Sequence, residues 1–530
     1  MGKGFIAKFE DVYKLTYWRC IMNLKKYFLM SLPVLGASLI AGDIYVNSSF
    51  IGTSDGSQAA PFATIKDAVA VVGEGDTIWI YGSDTVSYVM EDDSAAVVIE
   101  PDNITIRGYT DLGEAQDWSQ TNKMAKVYIK DEYASRSFEI DGNTQTPFRL
   151  NGANTKFQGI FFDYGGISFR KQNKGGDNMI VVTNSNFVCE NSFFYMSSDT
   201  GYDGASTPIS AYTIKNPVEH NMVFRNCGFN FISAYRDTVC IVGRCNGTLT
   251  FENSYFEHLY SLSKGGDNNN NFRTTIYAIS NIFYNCYSVS PENWHDALFS
   301  SHPNSFPKRV VIAYNRIIRD DFDPASKYSD LSYNFLAHGG AYGGSFNDSE
   351  IHHNTIVGLD IAFISRRRNQ GNDSADLWTP AIHNNLFVLN DGGVFIEERE
   401  GVPDKNGWGG PGMMFSGDRT TSFLPGSYIR NNAILCDTFV GGDATTNSWY
   451  KLEYEEGANS GVELIDNINL EEALTFINTT DPFDENFYRL RLEDYAWVRQ
   501  NAWRGENNEY PRYIGALEPL LPLASLIILK

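Results

Sequence analysis

The sequence lacks a CxxC pair, an unbroken apolar run of membrane-spanning length and a surplus of positive charge, and each absence closes off a class of protein. Seven cysteines are present. Beyond Cys20 they are Cys189, Cys227, Cys240, Cys245, Cys286 and Cys436, with no spacing that suggests zinc. A chain of 530 residues can bury a large core without disulfides, so most of these read as buried free thiols. Lys and Arg number 42 against 64 Asp and Glu, a formal net charge of -22. Nucleic acid is therefore excluded as a partner. An acidic balance welcomes cations, and an anionic ligand would need a local basic patch or a bound metal to offset the field.

The longest apolar stretch, "MNLKKYFLMSLPVLGASLIAG" (Met22 to Gly42), has two lysines, an apolar run containing Pro33, and small residues at its end. The run is shorter than the roughly 20 residues a membrane span requires and has the layout of a secretory signal peptide. Residues 1–21 then read as an upstream extension, as from a misassigned start. The C-terminal "LLPLASLIILK" is about half a span and is broken by Pro522, so it reads as a tail. The expected mature chain has no membrane span and is a monomer.

What is present is a repeat. "VCENSFF", "VFRNCGF", "TFENSYF", "AISNIFY", "IAYNRII", "IHHNTIV", "IHNNLFV" and "IRNNAIL" align on Asn191, Asn226, Asn253, Asn281, Asn315, Asn354, Asn385 and Asn432. An apolar or small residue stands three before each asparagine. A bulky apolar one follows, at Phe193, Phe229, Phe256, Phe283, Ile317, Ile356, Phe387 and Ile434. "FQGIFF" fits one coil earlier, with Gly159 at the asparagine position. The spacings, 35, 27, 28, 34, 39, 31 and 47, are elastic while the motif is sharp. That is the behaviour of a solenoid with one fixed corner and variable loops elsewhere. Asn and Gly adopt the left-handed conformation most easily, and the flanking segments are short and β-branched. The expectation is a corner bending one strand into the next, with asparagines hydrogen-bonded up the column and aromatics, 14% of the chain, stacked in a narrow core.

This grammar resembles that of right-handed parallel β-helix proteins of the pectate-lyase-like superfamily. The resemblance implies an all-β fold, a single-stranded right-handed parallel β-helix with a short N-terminal capping helix. It is expected over residues 43–465, with residues 466–530 as closing segment and tail. The opening "PFATIKDAVAVVGEGDTIWI" resembles the entry segment of such proteins, where Thr64 can N-cap a helix presenting Ile65, Ala68, Val69 and Val72 to the open end. "FYRLRLEDYAWVRQNAWRGENNEYPRYIGALEP" resembles their closing segment, with "IGALE" as a final strand.

Fold does not assign function, so candidate residues are weighed singly. Asp320, Asp321 and Asp323 follow the Asn315 corner where a longer loop begins. Three carboxylates this close repel unless a cation sits among them, and an oxygen-only set suits Ca²⁺. The plain alternative is a solvated acidic loop partly neutralised by Arg316 and Arg319. The resemblance implies that calcium would neutralise a uronate carboxylate and acidify its C5 proton, with Lys327 or Arg319 as the base. Arg366 and Arg368 in "FISRRRNQG", with His338 one coil before and Glu397 and Glu398 one coil after, can form a row on an outer face. That row would recognise uronic acids, or equally be a charge ladder holding neighbouring strands. His352, His383 and Arg430 share a register and read as surface or stacking residues. His295, Asp296 and His302 share one long loop, with nothing to set their geometry.

The function implied is a secreted, Ca²⁺-assisted polysaccharide lyase acting on an anionic glycan. One alternative is a non-catalytic glycan-binding or adhesion protein. Another is a polygalacturonase-like hydrolase using Asp320 and Asp321, although N-T-D and R-I-K are absent and "AHGGA" only partly matches G-H-G.

Overall fold

In a computed structural model of the chain, the described residues lie between 41 and 519. Within that span 84–85, 91–96, 130–138, 141–142, 145–147, 164–179, 185, 196–208, 213–218, 231–238, 245, 260, 266–273, 287–298, 301–308, 321–333, 339–347, 368–378, 401–426, 443–461, 473 and 492–494 are not described. On much of one face only the backbone is described. The expected signal peptide and upstream extension, up to residue 40, lie outside the described residues.

From Asp43 onward the chain winds as a right-handed parallel β-helix. A 13-stranded sheet runs from Asp43–Val46 to Val462–Ile465, and a 12-stranded sheet from Ser87–Met90 to Ile468–Asn469. The third face is made of two sheets, of six strands (Val97–Ile99 to Ser261–Gly265) and five strands (Phe299–Ser300 to Thr438–Gly442). These four sheets pair in parallel throughout; a separate short pair, Glu139–Ile140 with Asn143–Thr144, is antiparallel. Among the described residues no helix is long and apolar enough to cross a membrane.

The first end is closed as the sequence indicates. Thr64 caps the helix Ile65–Val69, its hydroxyl oxygen accepting from the Asp67 N–H at 3.1 Å, and Ile65, Ala68 and Val72 are buried. This apolar plug covers core that an open coil would expose.

The core is a set of side-chain columns one strand apart. Phe162, Phe194, Phe229, Phe256 and Phe283 stack face to face with centroids 4.8, 4.8, 4.8 and 4.7 Å apart. Strand spacing in a sheet is about 4.8 Å, so parallel register alone puts like rings in van der Waals contact. Ile317, Ile356, Phe387 and Ile434 continue this column. Phe193, expected in it, instead points outward and stacks on Phe161 at 5.4 Å; its neighbour Phe194 is the core residue. Cys189, Cys227, Cys286 and Cys436 are free thiols, the first three buried.

The corner between the first two sheets has two solutions, where the sequence suggested one. At Gly159, Asn191, Asn226 and Asn253 the aligned residue itself has positive φ, 67°, 50°, 53° and 50°. From the next coil on, the left-handed residue is the one before it: Ser280, Tyr314, His353, Asn384, Asn431 and Asp466. The aligned asparagine then turns into the corner. Asn281, Asn315, Asn354, Asn385 and Asn432 are buried, and each Oδ1 from Asn315 onward accepts from both the backbone N–H and the side-chain amide of the preceding asparagine. Asn467 extends the ladder by one coil. In earlier coils Ser192 and Ser254 stand in this inner position, their hydroxyls accepting from the Ile160 and Cys227 N–H groups. Both solutions meet the same demand: a two-residue corner buries backbone N–H groups that the strand ladders do not reach.

The two solutions predict different mutational costs. Asn385→Ala removes the acceptor of the buried Asn354 N–H, one acceptor of the Asn354 side-chain amide and a donor to the Ile351 carbonyl, and should lower stability by about 2–4 kcal/mol. Asn253→Gly, at an exposed left-handed position, should change it by less than about 1 kcal/mol. Denaturant midpoints measured on the two variants check the difference.

Candidate functional site

The site is bounded first by what the C-terminal segment covers. Beyond Leu470 the chain leaves the last coil and runs back along the outside. Phe476, Leu490, Tyr495, Trp497, Val498 and Ile514 pack on Leu386, Val388 and Ala433 of the second sheet. Phe487 and Tyr488 pack on Tyr255, Ile282 and Ile318, and Phe483 reaches Trp118, with ring centroids 4.9 Å apart. Arg316 lies beneath this segment and donates to the Phe487 carbonyl at 3.1 Å; burial, with Arg489 nearby, lowers its pKa to about 10. "IGALE" forms no strand. It crosses the corner, where the Gly515 N–H donates to the Asn384 carbonyl and the Ala516 N–H to Thr355 Oγ1, both at 2.9 Å.

The same segment corrects the reading of the histidines as surface residues. His352, His353 and His383 are 6, 0 and 0% exposed. His352 and His383 stack at 5.0 Å and 5°, beneath Trp503 and Tyr510 of the segment. Arg430, in the same register, lies 4.6 Å over the Trp503 ring and 4.8 Å over Tyr428. They are stacking residues, as expected, but of an internal interface.

A different set of side chains is described along the edge where the second sheet passes to the third face. There, polar residues just past the short second-sheet strands form a second column. Asp320 is exposed, yet its carboxylate is held: Tyr284 OH donates to Oδ2 at 3.0 Å and Asn285 Nδ2 to Oδ1 at 3.1 Å. The Asp320 N–H donates back to Asn285 Oδ1 at 3.0 Å. Burial, then the hydrogen bond to Asp320, raises the Tyr284 pKa, so the phenol stays a donor. Arg319, proposed above as a base, is buried, with Nη1 3.4 Å from Asp360 Oδ2; Asn390 Nδ2 donates to Asp360 Oδ1 at 3.0 Å. This is the setting of a charge that braces the loop mouth. Asp321, Asp323, Lys327 and Arg368 lie outside the described residues, as do His295, Asp296 and His302.

On the third face the ladder register is one residue off the expected row. His338 pairs with Ser365, and Ser365 with Glu398, while Arg366 pairs with Arg399. His338 and Arg366 lie on neighbouring strands of one sheet, at adjacent rungs. Tyr284, Asn285, Asp360 and Asn390 were not singled out from the sequence. The available signal was a polar residue four to six positions after successive aligned asparagines.

Among the described residues no group of three or more His, Cys, Asp or Glu is placed to hold a metal ion. Asp320 supplies one exposed, oriented carboxylate, an oxygen donor of the type a hard cation takes.

No family model matches the chain, and no curated protein matches it. Solved structures with a similar chain path include XylC in complex with xylose, at 10% identity and TM-score 0.47, covering 83% of this chain and 88% of XylC. Pectate lyase Pel9A is 15% identical, with TM-score 0.42 and coverage of 90% and 96%. A PL6 family polysaccharide lyase from Pseudopedobacter saltans is 10% identical, with TM-score 0.41 and coverage of 80% and 94%. The fold itself is read from this chain's own parallel ladders.

Gly358 sets how closely the coils approach at the loop mouth. Its φ is 77°, and an added Cβ would lie 2.0 Å from the Arg319 carbonyl oxygen. Gly392, at φ 78°, has nothing within 4 Å of such a Cβ. Gly392→Ala should therefore cost only the backbone strain, about 1 kcal/mol. Gly358→Ala should cost clearly more, read as a larger fall in melting temperature.

Proposed function

We propose that the protein is a secreted, Ca²⁺-assisted polysaccharide lyase that cleaves an acidic, uronic acid-containing glycan by β-elimination. The observation that carries this reading is Asp320, exposed but oriented by Tyr284 and Asn285, with Asp321, Asp323 and Lys327 following it in the sequence. Asp320, Asp321 and Asp323 would hold the cation. When bound, it would supply charge neutralisation of the uronate carboxylate, which acidifies the C5 proton. Lys327 would take that proton, the C4–O bond would break as a C4=C5 double bond forms, and the departing oxygen would be protonated. Of the two bases considered, Lys327 is favoured, because Arg319 is committed to Asp360. Arg366 and His338, on strands of the third face, with Arg368 two residues on in the sequence, would bind the substrate's carboxylates and hydroxyls.

Incubation with polygalacturonate, alginate and related polymers should produce the ultraviolet absorbance of unsaturated uronides, and chelation should remove it. Lys327→Ala should lower the rate by about 10²–10⁴-fold. Asp320→Asn should also abolish the rise in melting temperature that added calcium gives the native protein. Absence of the absorbance with every uronic acid polymer, with calcium present, rejects the lyase reading.

A further inference from the structure

The histidine stack beneath the C-terminal segment plays no part in the proposed chemistry, and its composition is unusual for a packing interface. Among the described residues neither ring nitrogen of His383 has a hydrogen-bond partner, although a neutral imidazole must carry a proton on one of them. The Nδ1 atoms of His352 and His353 lie 2.9 Å apart, so one must donate to the other, and the shared proton position excludes two protonated rings. His353 Nε2 is 3.3 Å from the Pro511 carbonyl of the segment.

Past the stack the segment is held by the Gly515 and Ala516 N–H groups, which donate to the Asn384 carbonyl and Thr355 Oγ1, and by buried Ile514; over the stack it is held through side chains. Trp503 and Asn384 exchange two, at 2.6 and 2.7 Å, Asn431 Nδ2 donates to the Asn501 carbonyl at 2.8 Å, and Tyr510 OH donates to Glu350 Oε1 at 2.9 Å. Residues 501–516 belong to no sheet, whereas the coils beneath are paired on both sides. Local opening of such a segment costs far less than opening the coils.

We infer that the C-terminal segment is an acid-released strap: protonation of the His352, His353 and His383 stack lifts residues 501–516 from the first sheet while the coils beneath stay folded. The charges around the stack favour this outcome. On the sheet, Glu350 is the carboxylate within ion-pair reach, 3.6 Å from His352 Nε2, and it is already engaged by Arg309 and Tyr510. Tyr314 lies against His352 and His353, and Tyr428 and Arg430 flank His383. From the strap come the neutral phenols of Tyr510 and Tyr513, with Glu506 and Glu509 exposed at its turn. A charged stack would thus set imidazolium groups beside one another and beside Arg430.

Burial holds the imidazoles below their ordinary range, at about 4 for His352, about 3 for His353 and about 2 for His383. Neighbouring imidazoles add to this at His353 and His383, and Arg430 adds at His383. Once the strap opens they titrate near 6.5. The closed state therefore binds fewer protons, so its advantage is full above pH 6.5 and is lost as pH falls from 6.5 towards the closed-state values. Each imidazole that protonates on opening adds up to about tenfold per pH unit to the opening equilibrium.

Hydrogen exchange of the full chain, corrected for intrinsic rates, tests this from pH 7.5 to 4.5. Peptides from 501–516 should lose protection by at least about tenfold per pH unit below 6.5, while a coil peptide spanning 309–318 keeps its protection. His383→Phe, which keeps a ring but cannot ionise, should make that dependence shallower by up to about tenfold per pH unit. Strap protection that does not change with pH, or that falls only together with the coil peptide, overturns the inference. Should the variant fail to fold, histidine C2–H exchange in the native protein decides: the three rings should not titrate near 6.5, and titration there contradicts the proposal.

Discussion

The structure depends on a polar interaction inside an apolar solenoid. At the corner between the first and second sheets, Asn281, Asn315, Asn354, Asn385, Asn432 and Asn467 each answer a buried demand of the neighbouring coil. Each asparagine from Asn315 on accepts twice from the rung before it and sends its amide back to a carbonyl of that rung's strand. Every member depends on the next, so the corner has no room for an insertion. Variation in coil length is pushed to the links that flank the third face. The order of the scaffold and the freedom of its loops have the same cause.

The second organising element is the segment that runs back along the outside. It hides apolar surface of the second sheet, seats Arg316 under Phe487, and roofs the imidazoles on the first sheet. This makes the three faces unequal. Parts of two faces carry packing residues, while the third has the strands bearing His338 and Arg366, beside the edge where Asp320 is presented. The chain's negative charge gives the third face its problem: an anionic glycan could approach only where arginines or a cation offset the field.

Much of this was legible in the sequence because the β-helix repeats its grammar. The eight asparagines, the apolar residues beside them and the Thr64 cap were enough to anticipate the solenoid. The one-residue shift between Asn253 and Ser280 was not legible, since Asn at the left-handed position and Asn one step later leave the same motif. Phe193 was misplaced because a pair of phenylalanines does not say which faces inward. The histidines looked exposed because their cover comes from more than a hundred residues away, at Trp503 and Tyr510. The column of Asn285, Asp320, Asp360 and Asn390 was hidden by elastic spacing, which no fixed offset from the asparagines describes. The spacing of His338 and Arg366 put them one coil apart, but that Arg366 lies within a strand, and one rung beyond His338, cannot be seen from coil length alone.

The central claim is that ligand approaches the third face and the edge beside Asp320. Determining the structure with a bound oligouronide tests it most directly. The account predicts sugar density along strands Asn334–His338 and Ile361–Arg367, with a carboxylate near Asp320. Oligosaccharide ordered instead on the outer face of the first sheet, or no binding of any uronide, would contradict it.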